Sequence, residues 1–244
     1  MSADPGIIIA KRSLSLSKTY VIIGFFIALI SVLISSVPSL LSAIPTTNGI
    51  PITNTTFTGG FTFQTYFRLV SVPLQVFAVL AFTTPVLLLF VYDKNNGVLE
   101  YFLSLGMDQG DIYRRYLKAA LLLTSGLLAF EIISNIVVGL IEGANLTTLL
   151  ELSGLVVLIA LPVVSFVTTI MIAFSSLQKQ RIGSNQPLGI ALGVVIVFPA
   201  YIGPLAFPSL AIAVDLTLSL TAIVLTAVMF ILSSKLISRE KLLP

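Results

Sequence analysis

The sequence contains no cysteine and no histidine, and only 9% of its 244 residues are charged. Without those two side chains, thiol catalysis, histidine bases, structural zinc, haem ligation by histidine and iron–sulfur clusters are all excluded. A soluble domain carries about 25% charged residues, so this chain lacks the polar surface that a water-facing fold needs. These shortages exclude a soluble enzyme.

Hydrophobic residues make up 57% of the chain, and the mean hydropathy is +1.08. A helix needs roughly 18 or more apolar residues to cross about 30 Å of hydrocarbon at about 1.5 Å per residue. Six stretches approach or meet that requirement. They are Tyr20–Ile44, Leu69–Tyr92, Leu117–Ile141, Leu149–Phe174, Leu188–Tyr201 and Leu210–Leu232. The sequence therefore predicts an all-α membrane protein with six transmembrane helices, in which residues 1–244 form a single transmembrane domain embedded in the lipid bilayer.

The fifth stretch is too short to cross the bilayer comfortably. It leads into a segment with three prolines between residues 199 and 208, which break any straight helix. No charged residue occurs between positions 181 and 215. We therefore expect an outer re-entrant segment between spans five and six, buried against protein.

The distribution of basic residues predicts the orientation of the chain. With the N-terminus inside, 12 of the 13 lysines and arginines lie in inner segments, and Arg68 alone lies outside. The inner residues are Lys11, Arg12, Lys18, Lys94, Arg114, Arg115, Lys118, Lys179, Arg181, Lys235, Arg239 and Lys241. The positive-inside rule thus places both termini in the cytoplasm, with residues 1–19 as a cytoplasmic lead-in. It also explains the formal charge of +3 without a nucleic acid partner.

Two N-x-[ST] sequences, at Asn54 and Asn145, fall in predicted outer loops. They are candidate glycosylation sites. Two such sequences in a threonine-rich chain also arise by chance, so both interpretations stay open.

The longest inner segment, residues 93–116, has the start and stop signals of a short helix held between two spans. Asn95 or Asn96 is expected to cap a helix from Gly97 to Leu105, and Gly106 to end it in the left-handed conformation. Asp108, with Asp111 three residues later, resembles a capping box at the start of the third span.

The short helix has a broad apolar side and a polar side. The apolar side consists of Val98, Leu99, Phe102, Leu103 and Leu105, and the polar side of Glu100 and Ser104. Such a helix is either a connector that lies in the membrane interface or a docking element for a cytoplasmic protein.

The run from Asp93 to Leu105, DKNNGVLEYFLSL, followed by Asp111-Ile112-Tyr113 and Lys118, resembles the segment between the second and third spans of type-2 ATP-binding cassette (ABC) permeases. Gly106 stands where that family commonly has proline. The basic lead-in from Ile9 to Leu14 is also similar to the family pattern.

This resemblance implies that residues 93–116 contain the coupling helix that fits a cleft on a cytoplasmic ATPase subunit. Glu100 would make the polar contact, and Gly97, Leu99, Phe102 and Leu103 would complete the coupling set. Residues 175–187 would form a second contact with the ATPase. The resemblance further implies an exporter built with a second permease half, identical or related.

The chain has no Gly-x-x-x-x-Gly-Lys-Ser/Thr phosphate loop. We therefore expect no cofactor in this chain and ATP bound by the partner ATPase subunits. The permease itself would be a transport subunit and not an enzyme.

Glu131 lies roughly 20 Å along the third span from Lys118, at a depth where an acid costs about 2.5–3.5 kcal/mol. Asn135 follows four residues later on the same face. Arg68 would approach from the outer side if the spans are adjacent. The pair is either a polar contact on the substrate path or subunit interface, or a structural hydrogen bond.

Two other functions remain compatible with the sequence. One is a purely architectural membrane subunit of another complex. The other is a proton-coupled secondary carrier, although that class usually has several ionisable residues or broken helices near mid-membrane.

Overall fold

The computed structural model describes residues 4–35, 71–141, 145–173 and 211–236, and this part of the chain is all-helical with no strand. Its helices are α1 (Pro5–Leu16), α2 (Lys18–Ser35), α3 (Val72–Asn95), α4 (Val98–Ser104), α5 (Gln109–Ile141), α6 (Leu146–Ala173) and α7 (Ala211–Leu236). Several predicted features lie outside the described residues: the fifth span, the re-entrant segment, residues 175–187, Asn54 and Arg68.

Within these residues, three helices are long and apolar enough to cross a membrane: Val72–Asn95, Gln109–Ile141 and Leu146–Ile172. The number rises to four if the bent pair Pro5–Leu16 and Lys18–Ile34 is counted as one span. α7 contributes a shorter apolar stretch, Ser219–Val228. The prediction of an all-α fold is thus confirmed for the described residues, and their three to four candidate spans are consistent with a multi-pass membrane protein.

Contacts between the helices fix their directions. Arg12 bonds Asp93, and Tyr113 bonds Thr169 and is in ring contact with Phe230. The starts of α2 and α5 therefore lie at the same end of the bundle as the ends of α3, α6 and α7. Every described lysine and arginine belongs to this end, which we call the basic end. α2 and α5 run away from it, whereas α3, α6 and α7 run toward it.

The predicted lead-in is a helix in its own right. α1 meets α2 at 92° at Ser17, and it packs on α3 and α5 through the small buried residues Gly6, Ala10 and Ser13. A Cβ atom added to Gly6 would lie 3.1 Å from Cδ of Lys118. The small side chains therefore allow α1 to lie directly against the bundle.

The core consists mainly of aliphatic and aromatic side chains from α3, α5 and α6, and Leu99 and Leu103 of α4 also belong to it; α2 packs against α3. At Gly24 the two backbones are so close that an added Cβ would lie 2.7 Å from the backbone nitrogen of Phe82. At Gly139, an added Cβ would lie 2.4 Å from a methyl group of Leu149. Helix approach at these two points depends on the absence of a side chain.

Candidate functional site

The segment between α3 and α5 forms the short helix predicted there, bounded by two glycines. Gly97 precedes α4 with φ +71°, and Gly106 follows it with φ +82°. Both values belong to the left-handed region that glycine adopts at little cost. The predicted role of Gly106 is confirmed, because its N–H bonds the Leu103 carbonyl at 3.1 Å and the Met107 N–H bonds the Phe102 carbonyl at 3.2 Å, the two bonds of a Schellman motif.

The caps around α4 differ in part from the prediction. Neither Asn95 nor Asn96 caps α4, because Asn96 ends α3 and its amide donates to the Tyr92 carbonyl at 2.8 Å. Asp108 does cap α5, since its carboxylate accepts the Gly110 N–H at 3.3 Å. The Asp111 carboxylate lies 3.6 Å from the Arg114 guanidinium.

The two sides of α4 face different surroundings. Leu99 is fully buried, Leu103 is 5% exposed, and both belong to the protein's own core, with Phe102 partly buried against it. The apolar side that the sequence offered as an anchor for a partner is therefore largely occupied within the chain. The exposed side consists of Glu100, Tyr101, Ser104 and Leu105. We call these four residues the exposed edge of α4.

The exposed edge carries large apolar groups. The side chains of Tyr101 and Leu105 are 61% and 59% exposed. They are neighbours on the helix surface because they are four residues apart. An exposed tyrosine beside an exposed leucine and a carboxylate is a suitable contact for a groove on another protein.

A buried carboxylate directly before α4 joins three helices. Asp93, in the last turn of α3, is 1% exposed. Its oxygens contact the Arg12 guanidinium of α1 at 2.8 and 3.1 Å and accept a 2.6 Å hydrogen bond from the Tyr116 hydroxyl of α5. A carboxylate at a helix C-terminus is disfavoured by the helix dipole, so these partners are what makes its position stable. We call Arg12, Asp93 and Tyr116 the anchor triad.

Further contacts fix the same end of the bundle. The Tyr116 ring packs edge-on against Phe90, with centroids 5.0 Å apart. The Tyr113 hydroxyl lies 2.6 Å from the Thr169 hydroxyl, which itself donates to a carbonyl of α6, so the tyrosine is the donor between α5 and α6. These contacts join α3, α5 and α6 at the end of the bundle where α4 connects two of them.

The second candidate site lies in the other half of the bundle. Glu131 and Asn135 are 0% and 3% exposed, and both carboxylate oxygens and both amide atoms have no hydrogen-bond partner among the described residues. No structural hydrogen bond of this pair is formed within the described part of the chain. Gln75 of α3 and Ser153 of α6, 1% and 4% exposed, also have an oxygen without a partner there.

Helix register brings these four residues to one level. Phe90 contacts Tyr116, and counting fifteen residues along each antiparallel helix from that contact brings Gln75 level with Glu131. On the other side Gly139 meets Leu149, and one turn further along Asn135 is level with Ser153. We call Gln75, Glu131, Asn135 and Ser153 the polar layer.

The polar layer lies about 22–28 Å from Tyr116, at about 1.5 Å per residue. Leaving a buried amide or hydroxyl unpaired costs about 1–3 kcal/mol, and an intramembrane acid costs about as much again. Glu131 and Asn135 were predicted from the sequence as an intramembrane polar pair, whereas Gln75 and Ser153 were not. The available signal was the interruption of two apolar stretches by a polar residue.

The candidate glycosylation residue in the described region has a local structural role. Asn145 is exposed before α6, and its side-chain oxygen accepts the Thr147 N–H at 3.0 Å. This is the N-cap arrangement expected for asparagine. The described residues contain no group of three or more acidic, histidine or cysteine side chains suited to a metal ion.

Comparison of the chain with protein-family models, with curated proteins and with solved structures finds no match.

Proposed function

We propose that this chain is the membrane-spanning half-subunit of an ATP-driven transporter of the type-2 ABC permease kind, most consistent with an exporter, driven by separate ATPase subunits. The observation that carries the proposal is the exposed edge of α4: a tyrosine, a leucine and a carboxylate on a short helix fixed to the ends of two apolar helices. The resemblance of residues 93–118 to the coupling segment of that family supports the same function.

In this mechanism the cytoplasmic ATPase binds the exposed edge, with Tyr101 and Leu105 as apolar contacts and Glu100 as the polar one. Gly97 and Gly106 set the direction of α4, while Leu99, Phe102 and Leu103 hold it on the bundle. ATP-driven closure of the ATPases then moves α3 and α5 together, because the anchor triad joins them. The polar layer contributes to the path that opens between this chain and its second permease half, where it contacts polar groups of the substrate.

The experiment is to purify the full chain in mild detergent from its native membranes and to identify any ATPase subunit that copurifies with it. We expect a phosphate-loop ATPase in about equal amount. Replacing Tyr101 and Leu105 together by serine should lower the amount bound by about tenfold or more, as the loss of two interface anchors does. The matched control is Leu16→Ser, an exposed leucine at the same end of the bundle. ATPase binding that is unaffected by the double substitution contradicts the docking role.

The polar layer favours one alternative, a proton-coupled carrier, because Glu131 is buried and unpaired among the described residues. The two functions differ in proteoliposomes that contain this chain alone. A carrier would give proton flux that disappears in Glu131→Gln. The proposed permease half gives no such flux without the ATPase. The architectural subunit would give neither flux nor ATPase binding.

A further inference from the structure

A groove runs along the outer surface of α5 at the basic end, closed on one side by α7. It is an open cavity of about 260 Å³. Arg114 and Lys118 lie at its basic end, Leu117, Leu121 and Leu122 form its wall, and Phe230 of α7 faces them. The groove lies where α7, which packs mainly on α6, meets α5 through Phe230.

The length of the groove matches one leaflet of a bilayer. Its lining on α5 extends from Arg114 to Ser125, eleven residue steps or about 16 Å at about 1.5 Å per step. Half of a hydrocarbon core of about 30 Å is about 15 Å. An acyl chain that starts at the two basic residues would therefore reach Ser125 near the middle of the membrane.

The basic end of the groove is positively charged and accessible. The side chains of Arg114 and Lys118 are 60% and 54% exposed. Arg114 lies 5.2 Å from the centre of the Phe230 ring and 3.6 Å from Asp111, and Lys118 bonds Asp4. A guanidinium has five N–H donors and an ammonium three, so both retain donors for a further anion.

We propose that this groove binds one anionic phospholipid from the leaflet at the basic end, which the positive-inside rule assigns to the cytoplasmic side. The phosphate contacts Arg114 and Lys118, and one acyl chain lies along Leu117, Leu121 and Leu122 against Phe230. Basic pockets between transmembrane helices on that side are suited to anionic headgroups. A second copy of the chain fits less well, because a twofold contact would bring these cations close to their own equivalents.

The test compares phosphatidylglycerol with phosphatidylcholine of identical acyl chains, using the full chain purified in detergent. Native mass spectrometry should show one phosphatidylglycerol retained per chain under conditions that remove phosphatidylcholine, and phosphatidylglycerol should raise the melting temperature more. Equal retention of the two lipids overturns the proposal. Inorganic phosphate should have no such effect; if it raises the melting temperature as much, the groove is an anion site and not a lipid site.

Variants separate the headgroup contact from the acyl contact. Arg114→Gln should weaken phosphatidylglycerol binding about fivefold, the effect of removing about one lysine- or arginine-equivalent of attraction. Lys11→Gln, the same loss of charge on α1, should leave the preference intact. If Lys11→Gln weakens phosphatidylglycerol binding as much as Arg114→Gln does, the binding reflects general surface charge, and the proposed site is contradicted.

Leu122→Trp keeps all charges and fills the groove, so it should abolish retention of the lipid while the protein stays folded. Because Leu122 is 41% exposed on α5, the larger side chain does not enter the core. Retention unaffected by Leu122→Trp overturns the acyl contact. Dimers that retain no lipid and that Leu122→Trp dissociates would assign the groove to a second copy instead.

Discussion

At the scale of single residues, the anchor triad shows how one buried charge fixes three helices. Asp93 is stable at the end of α3 only because Arg12 and Tyr116 supply a counter-charge and a hydrogen bond. Arg12 keeps 42% of its side chain exposed, so solvent shares in balancing its charge. The hydrogen bond from Tyr116 to Asp93 is fully buried, so water cannot take the place of the tyrosine hydroxyl if that group is removed.

Removing that hydroxyl should therefore destabilise the protein measurably. Tyr116→Phe is expected to lower the free energy of unfolding by about 1.5–3 kcal/mol, the value typical of a hydrogen bond to a charged group. Tyr101→Phe, which removes an exposed hydroxyl, should change it by less than about 0.5 kcal/mol. Thermal or denaturant unfolding in one detergent measures both, and equal effects would show that the Asp93 bond contributes little.

The polar layer predicts the opposite effect on stability. Glu131→Met replaces a buried carboxyl that has no partner among the described residues by an apolar group of similar length, so it should raise the free energy of unfolding by about 1–3 kcal/mol. Transport should be lost in the same variant if the layer serves the substrate path. Glu151→Met on the exposed surface of α6 is the control and should be nearly neutral. A less stable Glu131→Met protein would mean that the carboxyl group has a stabilising partner.

A third residue-scale prediction concerns pH. The hydrogen bond from Lys118, followed by that from the Gly6 N–H, holds the pKa of Asp4 below its ordinary value of 3.8. Because the folded pKa is the lower one, the stabilisation by Asp4 is complete above that ordinary value and disappears as the pH falls through the folded pKa. The difference in stability between wild type and Asp4→Asn should thus vanish in acid. A difference that persists at the lowest pH contradicts this assignment.

At the scale of elements, packing of α2 on α3 depends on one glycine. Gly24→Ala puts a methyl group 2.7 Å from the Phe82 backbone nitrogen, where no side-chain rotation relieves the overlap. We expect a loss of about 1–3 kcal/mol in the free energy of unfolding. Gly126→Ala, on α5 with no described atom within 4 Å of the added methyl group, should be neutral or stabilising by up to about 1 kcal/mol. Equal melting temperatures for the two variants would contradict the close approach of α2 and α3.

The elements also show which features can be derived from sequence. The end of α4 at Gly106 was predictable because a helix cap depends on neighbouring residues. The role of Leu99 and Leu103 was not, since periodicity identifies an apolar side but not what covers it. The Arg12–Asp93 contact joins residues 81 positions apart, and a single sequence has no local signal for it. Burial of Glu131 followed from hydropathy, whereas its alignment with Gln75 and Ser153 depends on helix register.

At the scale of the whole molecule, the concentration of described basic residues at one end predicts how the chain sits in the membrane. The absence of cysteine makes this straightforward to measure, because any introduced thiol is the only one present. Ser104→Cys on α4 should react with a membrane-impermeant reagent only from the cytoplasm, and Asn145→Cys before α6 only from outside. Both positions are exposed. Reaction of Ser104→Cys in intact cells would reverse the orientation and exclude a cytosolic ATPase at α4.

The position of α1 limits how α3 and α5 can move relative to each other in the proposed transport cycle. α1 lies crosswise to α2, and its two ion pairs, Asp4 with Lys118 and Arg12 with Asp93, tie it to α5 and to α3. Because these ion pairs link α3 and α5 through α1, the two helices cannot separate at the basic end without breaking one of the pairs. The described residues contain no equivalent link at the far ends of α3 and α5, so the bundle is expected to pivot about α1 and to widen first at the end away from it.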